Sequence, residues 1–194
     1  MRILFVSSEV IPFSKTGGLA DVAGALPAEL TKLGHDVRVV TPCYKGVDKD
    51  KYGLTLAVSG INVALGEKTY RGAAFVSTLP SSKTPIYFIE NDELYLRDGL
   101  YQKAGVDYED NASRFIYFSR AALDLCKRLD WRPDVIHCND WQTGLIPVYL
   151  KSIYAQDPFF QGIRSIYTIH NLAYQGVFPK YIMELTGLSW DYFT

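Results

Sequence analysis

The chain has few of the residues that mark disulfide-stapled proteins or metalloproteins. Among 194 residues there are three cysteines and three histidines, and Cys43, Cys126 and Cys138 lack the spacing of metal ligands. We therefore expect reduced, mostly buried thiols, as in a cytoplasmic protein. No cofactor or metal is expected.

Long apolar runs and a strong charge of either sign are also missing. No run approaches the length of a membrane span, and Glu9 interrupts the apolar start too early for a signal peptide. The net charge of −1 gives no electrostatic reason to expect nucleic acid or a membrane surface as a partner. With 48% hydrophobic and 21% charged residues, the composition is typical of a globular protein, and we expect one domain over residues 1–194.

The stretch from Lys15 to Asp21 has a glycine pair between two kinds of apolar pattern. A continuous apolar block predicts a buried strand over Arg2 to Val10, and helical spacing begins at Leu19. A strand-to-helix turn of this kind can receive an anion on backbone N–H groups, with Lys15 as a mobile cation. The spacing matches neither common phosphate-loop pattern, so a plain structural turn is the alternative.

The chain then alternates strands and helices. The helix from Leu19 should run to Gly34, with Pro27 inside it, and a strand over residues 36–41 completes a βαβ unit and predicts a parallel sheet. Short strands follow at 54–58, 61–65, 70–78 and 85–89, either as an antiparallel excursion or as a twisted extension of the sheet. Residues 91–107 are expected to be a long loop, before a helix capped at Asp110-Asn111.

Three polar clusters follow three predicted parallel strands. They are Lys15-Thr16-Gly17-Gly18, Asn139-Asp140-Trp141 and His170-Asn171. In open α/β sheets ligands bind at the carboxyl ends of the strands. We therefore expect these clusters to share one edge and to form a ligand site.

Several long blocks of the sequence resemble bacterial glycogen synthases and starch synthases, the retaining glucosyltransferases of family five. The resemblance covers essentially the whole chain in order. The blocks that carry it are Lys15 to Val22, Gly24 to Pro27, Asp107 to Asn111, Arg114-Phe115, Asn139 to Trp141 and Tyr167 to Gly176.

This resemblance implies a GT-B enzyme with two Rossmann-like domains that face each other across a cleft. The chain matches the N-terminal, acceptor-side domain, a Rossmann-like, mainly parallel sheet flanked by helices with a β-hairpin excursion. The nucleotide-binding C-terminal domain is not matched. The implied reaction transfers glucose from ADP-glucose to the non-reducing end of an α-1,4-glucan with retention. We expect the chain alone to be inert.

The resemblance also implies roles for individual residues. Lys15, Gly17 and Gly18 would bind the donor diphosphate, which a fixed cation and aimed N–H groups can stabilise without a metal. His170 would lie over the donor glucose as the catalytic residue. The positions implied to bind the sugar or the acceptor are Glu9, Asp21, Tyr95, Asp140, Trp141 and Asn171.

Some of these assignments have alternatives. Tyr101 competes with Tyr95 because the loop that holds them is variable, and many relatives have histidine where this chain has Gln142. Lys15 and Asp21 could be a solvated lysine and a first-turn helix acid, and Trp141 and His170 could be core residues. For the whole chain, the alternatives are a GT-B enzyme with another donor and a stand-alone glucan- or nucleotide-binding module.

Overall fold

The computed structural model describes residues 1–80 and 82–193, and it contains a seven-stranded mixed sheet in the order β3-β4-β5-β2-β1-β8-β9. A separate two-stranded hairpin pairs β6 with β7. The strands are β1 Arg2–Val6, β2 Asp36–Pro42, β3 Thr55–Leu65, β4 Lys68–Thr78, β5 Pro85–Glu90, β6 Gln102–Lys103, β7 Val106–Asp107, β8 Val135–Asn139 and β9 Arg164–Thr168. The α-helices are α1 Leu19–Lys32, α2 Asp92–Tyr95, α3 Asn111–Arg128, α4 Leu145–Lys151 and α5 Met183–Thr186, with 3-10 turns at Trp141–Thr143, Lys180–Ile182 and Trp190–Tyr192.

The five strands β5, β2, β1, β8 and β9 run parallel, which confirms the α/β class and the mainly parallel sheet flanked by helices. The apolar block of β1 lies at the centre of this sheet, and its residues from Leu4 to Val6 are at most 1% exposed. Central parallel strands are covered on both faces, so they read as continuous apolar runs.

The first strand is shorter than the sequence pattern predicted. β1 ends at Val6, because residues 7–14 form a turn in which Val10 pairs with Ser14. The helix that follows agrees with its prediction: α1 continues through Pro27, and Gly34 takes the left-handed conformation (φ +88°) just after it. Glycine is favoured there because it has no Cβ.

The strands predicted at 54–58 and 61–65 are one strand, β3. The chain passes through Gly60 (φ +71°), where the pairing register with β4 shifts, so the glycine marks an irregularity within a strand instead of its end. β4 also pairs with β5, which is itself parallel to β2. The antiparallel excursion is therefore an extension of the main sheet.

The predicted loop at 91–107 contains structure of its own, namely α2 and the β6–β7 hairpin. It is fixed to the start of α3 by Arg97, which binds both carboxylate oxygens of Asp110 at 2.6 and 2.7 Å. Asp110 therefore makes an ion pair and no side-chain cap, although α3 does begin at Asn111 as expected. Across residues 1–80 and 82–193, no helix has the length and hydropathy needed to cross a bilayer.

Candidate functional site

The three polar clusters lie at one edge of the sheet, as expected, because β1, β8 and β9 are parallel neighbours. Direct hydrogen bonds join the strand ends. Asn139 Nδ2 donates to the carbonyl of Val6 at 3.0 Å, and the backbone N–H of Asp140 donates to the carbonyl of Thr168 at 2.9 Å. The carboxyl ends of β1, β8 and β9 are thus joined by hydrogen bonds.

His170 is held at this edge by both residues that follow β8. Its backbone N–H donates to Asp140 Oδ1 at 2.7 Å, and its Nε2 lies 2.9 Å from Asn139 Oδ1. Asp140 has a backbone conformation (φ +56°, ψ 177°) that is almost restricted to glycine. Such strain costs on the order of 1–3 kcal/mol and clusters at functional sites. Asp140, which binds the backbone N–H of His170, therefore has a strained backbone itself.

Lys15 projects from the loop before α1 and contacts the first turn of that helix. Its Nζ lies 2.7 and 2.8 Å from the two carboxylate oxygens of Asp21, and both side chains are 51% exposed. An exposed pair of this kind is worth about 0.2–1 kcal/mol. Because this pair is worth so little, a phosphate bound at the loop can draw Lys15 away from Asp21.

Gly17 and Gly18 are not required by the fold of this chain. Neither has a positive φ, and a Cβ added to either would meet nothing within 4 Å. Gly24 differs, since its Cβ would lie 2.4 Å from Ile11 Cγ1 and α1 could not pack there with a larger residue. The surface above Gly17 and Gly18 therefore has room for a close approach by a ligand.

Glu9 lies beneath the glycine loop and is only 4% exposed. It accepts hydrogen bonds from the backbone N–H groups of Thr16 (2.5 Å) and Gly17 (3.1 Å) and from the Thr16 hydroxyl (2.6 Å). The Tyr101 hydroxyl donates a fourth, at 2.8 Å. Four bonds fill the acceptor sites of a carboxylate, so in this structure Glu9 has no lone pair left for a sugar.

The tyrosine that contacts Glu9 is Tyr101, whereas Tyr95, the preferred candidate, lies in the core. Tyr95 is fully buried, and its hydroxyl donates to the carbonyl of Arg114 at 2.8 Å, so it cannot line a surface site. Tyr101 contacts Glu9 and also Ser8 Oγ, at 2.8 Å. Burial raises the pKa of Tyr101 well above its usual value, which keeps the hydroxyl protonated as the donor to Glu9.

Two conservative variants separate these tyrosines. Tyr101→Phe removes one of the four bonds to Glu9, so we expect the affinity for a nucleoside diphosphate to fall about threefold to tenfold. Tyr95→Phe should cost about 0.5–1.5 kcal/mol of folding free energy, because it removes one buried hydrogen bond to the carbonyl of Arg114, and it should leave ligand affinity unchanged. Urea unfolding and calorimetry measure the two effects. Reduced affinity in Tyr95→Phe with unchanged affinity in Tyr101→Phe would reverse the assignment.

The other residues considered for the site differ in their exposure to solvent. Trp141 packs edge-to-face against Phe115 and Phe178, with ring centroids 5.0 and 5.4 Å away, and lines a cavity of about 320 Å³ beside α3. Asn171 is exposed, and its Oδ1 accepts the backbone N–H of Ala173 at 3.0 Å. Gln142 lines the same cavity at 6% exposure, and its Oε1 has no partner among the residues that the structure describes.

The second histidine near the site has a separate partner. His137 Nε2 lies 2.8 Å from Thr168 Oγ1, and burial, followed by the nearby His170, lowers the pKa of His137. This placement agrees with a packing role. In residues 1–80 and 82–193 no three His, Cys, Asp or Glu side chains are grouped to hold a metal ion.

Sequence reasoning missed two residues that complete this geometry. Thr16 binds Glu9 through both its backbone and its hydroxyl, and Asn139 joins β1 to His170. Both lie inside polar clusters that the sequence had identified. Their position just past strand ends was the available signal, but their partners are seven residues or more away in the chain.

Comparison with known proteins gives one consistent family. Residues 2–194 match the profile of the family described as "Starch synthase catalytic domain". The chain is 48% identical over 194 residues to "Glycogen synthase" of Geotalea daltonii and 47% identical over 194 residues to "Glycogen synthase 2" of Geobacter sulfurreducens. Each alignment covers all of this chain, which spans about 40% of the length of these relatives.

A solved structure agrees with the sequence matches. The catalytic domain of Starch Synthase IV from Arabidopsis thaliana, bound to ADP and acarbose, superposes with a TM-score of 0.87 at 29% identity. The superposition covers 98% of this chain and 38% of that one.

Proposed function

This chain belongs to the starch synthase catalytic domain family, and from that premise we propose that it forms the N-terminal, acceptor-side half of a retaining glucosyltransferase. The proposed reaction transfers glucose from ADP-glucose to the non-reducing end of an α-1,4-glucan. Relatives named glycogen synthase, at 47–48% identity over the whole chain, support it. We also propose a cytoplasmic location, which the three buried, unpaired cysteines support.

The observation that carries the proposal is the single polar edge formed by β1, β8 and β9. It combines an open glycine loop and cation at one strand end with His170, fixed by Asp140, at another. A sugar nucleotide has an anionic diphosphate and a neutral, hydroxyl-rich sugar. The glycine loop and Lys15 suit the diphosphate, and His170 can form a hydrogen bond with a sugar hydroxyl.

In this mechanism the loop stabilises the leaving group. As the bond between the sugar and the diphosphate breaks, negative charge develops on the phosphate oxygens. The N–H groups at the start of α1 and the positive end of its dipole face the loop, and Lys15 adds a full charge. Because Glu9 already occupies the N–H groups of Thr16 and Gly17, the first turn of α1 must supply the contacts to phosphate.

The remaining site residues are assigned to the sugars. We propose that His170 contacts the donor glucose, and that Asp21, Asp140, Trp141 and Asn171 line the sugar and acceptor region. Carboxylates and amides accept or donate paired hydroxyl bonds, and an indole face can stack on a pyranose. Asp21 becomes available to a sugar once a phosphate has taken its Lys15 partner. Glu9 is better assigned to the loop than to the sugar.

We propose that ADP-glucose is the donor and that a second domain completes its binding site. The superposed Starch Synthase IV structure has ADP bound, which supports adenine over uracil. A second domain would supply most contacts to the nucleotide, so we expect this chain alone to bind weakly and to transfer nothing.

The test is a transfer assay with two donors. We expect the two-domain protein to extend maltooligosaccharide with ADP-glucose at least tenfold more efficiently than with UDP-glucose. The 194-residue chain should show no transfer, with ADP or maltooligosaccharide binding only at millimolar concentration in calorimetry. A preference for UDP-glucose would overturn the donor assignment. Transfer by the chain alone would overturn the two-domain proposal, and binding without transfer in the longer protein would favour the binding-module alternative.

A further inference from the structure

Asn139 is the residue that joins the ends of β1, β8 and β9, and its amide orientation is fixed by its partners. Its Nδ2 faces two carbonyl oxygens, of Val6 at 3.0 Å and of His137 at 3.2 Å. Only an NH₂ group can satisfy both, since a carbonyl oxygen in that place would face two acceptors. The other atom of the amide, Oδ1, therefore points to His170.

This orientation decides which ring nitrogen of His170 carries the proton. Asn139 Oδ1 is an acceptor with no hydrogen of its own, and it lies 2.9 Å from His170 Nε2. The contact is a hydrogen bond only when Nε2 is protonated. We propose that Asn139 is a positioning residue that holds neutral His170 in the Nε2–H tautomer and leaves Nδ1 as the free acceptor.

Nδ1 is also the nitrogen that is accessible. Within residues 1–80 and 82–193 it has no hydrogen-bond partner, and it is not among the fully buried polar atoms that lack one, so at least part of it is accessible. The backbone of His170 is fixed separately by Asp140 Oδ1. Two neighbouring side chains thus hold His170. Asp140 binds the backbone N–H of His170, and Asn139 binds its imidazole ring. A ligand meets Nδ1 as an acceptor, which suits a hydroxyl donor.

The choice of a sugar hydroxyl as that donor rests on the proposed function, whereas the tautomer does not. It can be measured in the ligand-free chain by NMR of the ring nitrogens, with only His35, His137 and His170 to assign. We expect neutral His170 to have a protonated Nε2 and an unprotonated Nδ1. A scalar coupling across the hydrogen bond, from Nε2 to the side-chain carbonyl carbon of Asn139, should be detectable.

Two substitutions test the assigned cause. Asn139→Leu removes the acceptor, so the coupling should be lost and the two nitrogen frequencies of His170 should move towards each other as the tautomers mix. Thr168→Val is the matched control at the end of β9. It removes the partner of His137 and should leave the frequencies of His170 unchanged.

The outcomes decide the proposal in either direction. A proton on Nδ1 in the unsubstituted chain would overturn it, as would unchanged His170 frequencies in a folded Asn139→Leu variant. If that variant does not fold, the tautomer and the coupling in the unsubstituted chain still decide. Failure of the donor assay would leave the NMR result standing, so the two proposals can fail separately.

Discussion

Replacing Lys15 with alanine in the proposed two-domain enzyme should lower kcat/KM about 100- to 1,000-fold. Removing one preorganised group that stabilises developing charge typically costs this much. The fold should be unaffected, because the Lys15–Asp21 pair is half-exposed and worth at most about 1 kcal/mol. Steady-state kinetics with ADP-glucose measure the loss, and thermal unfolding checks the stability.

Lys32→Ala provides the matched control for this experiment. Lys32 is in the same helix as Asp21 and pairs with Glu29 at 2.6 Å, with side chains 64% and 62% exposed. The Lys32→Ala variant loses an equivalent surface ion pair at the other end of α1. Its kcat/KM should therefore stay within about twofold of that of the unsubstituted enzyme. Equal effects of the two substitutions would show that net charge, and not the position of Lys15, is responsible.

The parts of the fold that could be predicted are those encoded over short distances. The apolar block of β1, the helical spacing of α1 and Gly34 after it depend on neighbouring residues, and each was found where the pattern placed it within a few residues. The shared edge followed from one general rule, that parallel strands end on the same side. These predictions needed no knowledge of distant contacts.

The details of the site depend on contacts between residues far apart in the sequence. Glu9 and Tyr101 are 92 residues apart, and nothing in either local pattern indicates that they meet. Tyr95 and Tyr101 lie in a segment with little periodicity, so burial could not be read from spacing. The short helix α2 buries Tyr95 completely, whereas Tyr101 follows that helix and reaches the site.

Glu9→Ala should have the largest combined effect on stability and ligand binding, because four hydrogen bonds end on this one carboxylate. Bonds to charged groups are worth roughly 1.5–3 kcal/mol each, but water can replace Glu9 at the exposed Thr16 and Gly17. We therefore expect a loss of about 3 kcal/mol in the free energy of unfolding, measured by urea denaturation.

The same substitution should also release the loop that Glu9 fixes. A shift of about 1 Å in a positioning group can cost about 100-fold in rate, so we expect kcat/KM of the two-domain enzyme to fall on the order of 100-fold. Glu9→Gln should recover only part of both losses, because its NH₂ group would face donors that need an acceptor.

Glu29→Ala separates this role from the loss of any acid near α1. Glu29 is exposed and its ion pair with Lys32 lies on the surface, so its removal should change the unfolding free energy by less than about 0.5 kcal/mol. A Glu9→Ala variant that loses stability but keeps its full kcat/KM would mean that the glycine loop holds its shape without the carboxylate. In that case Glu9 would support the fold alone, and the first turn of α1 would have to position Lys15 through Asp21.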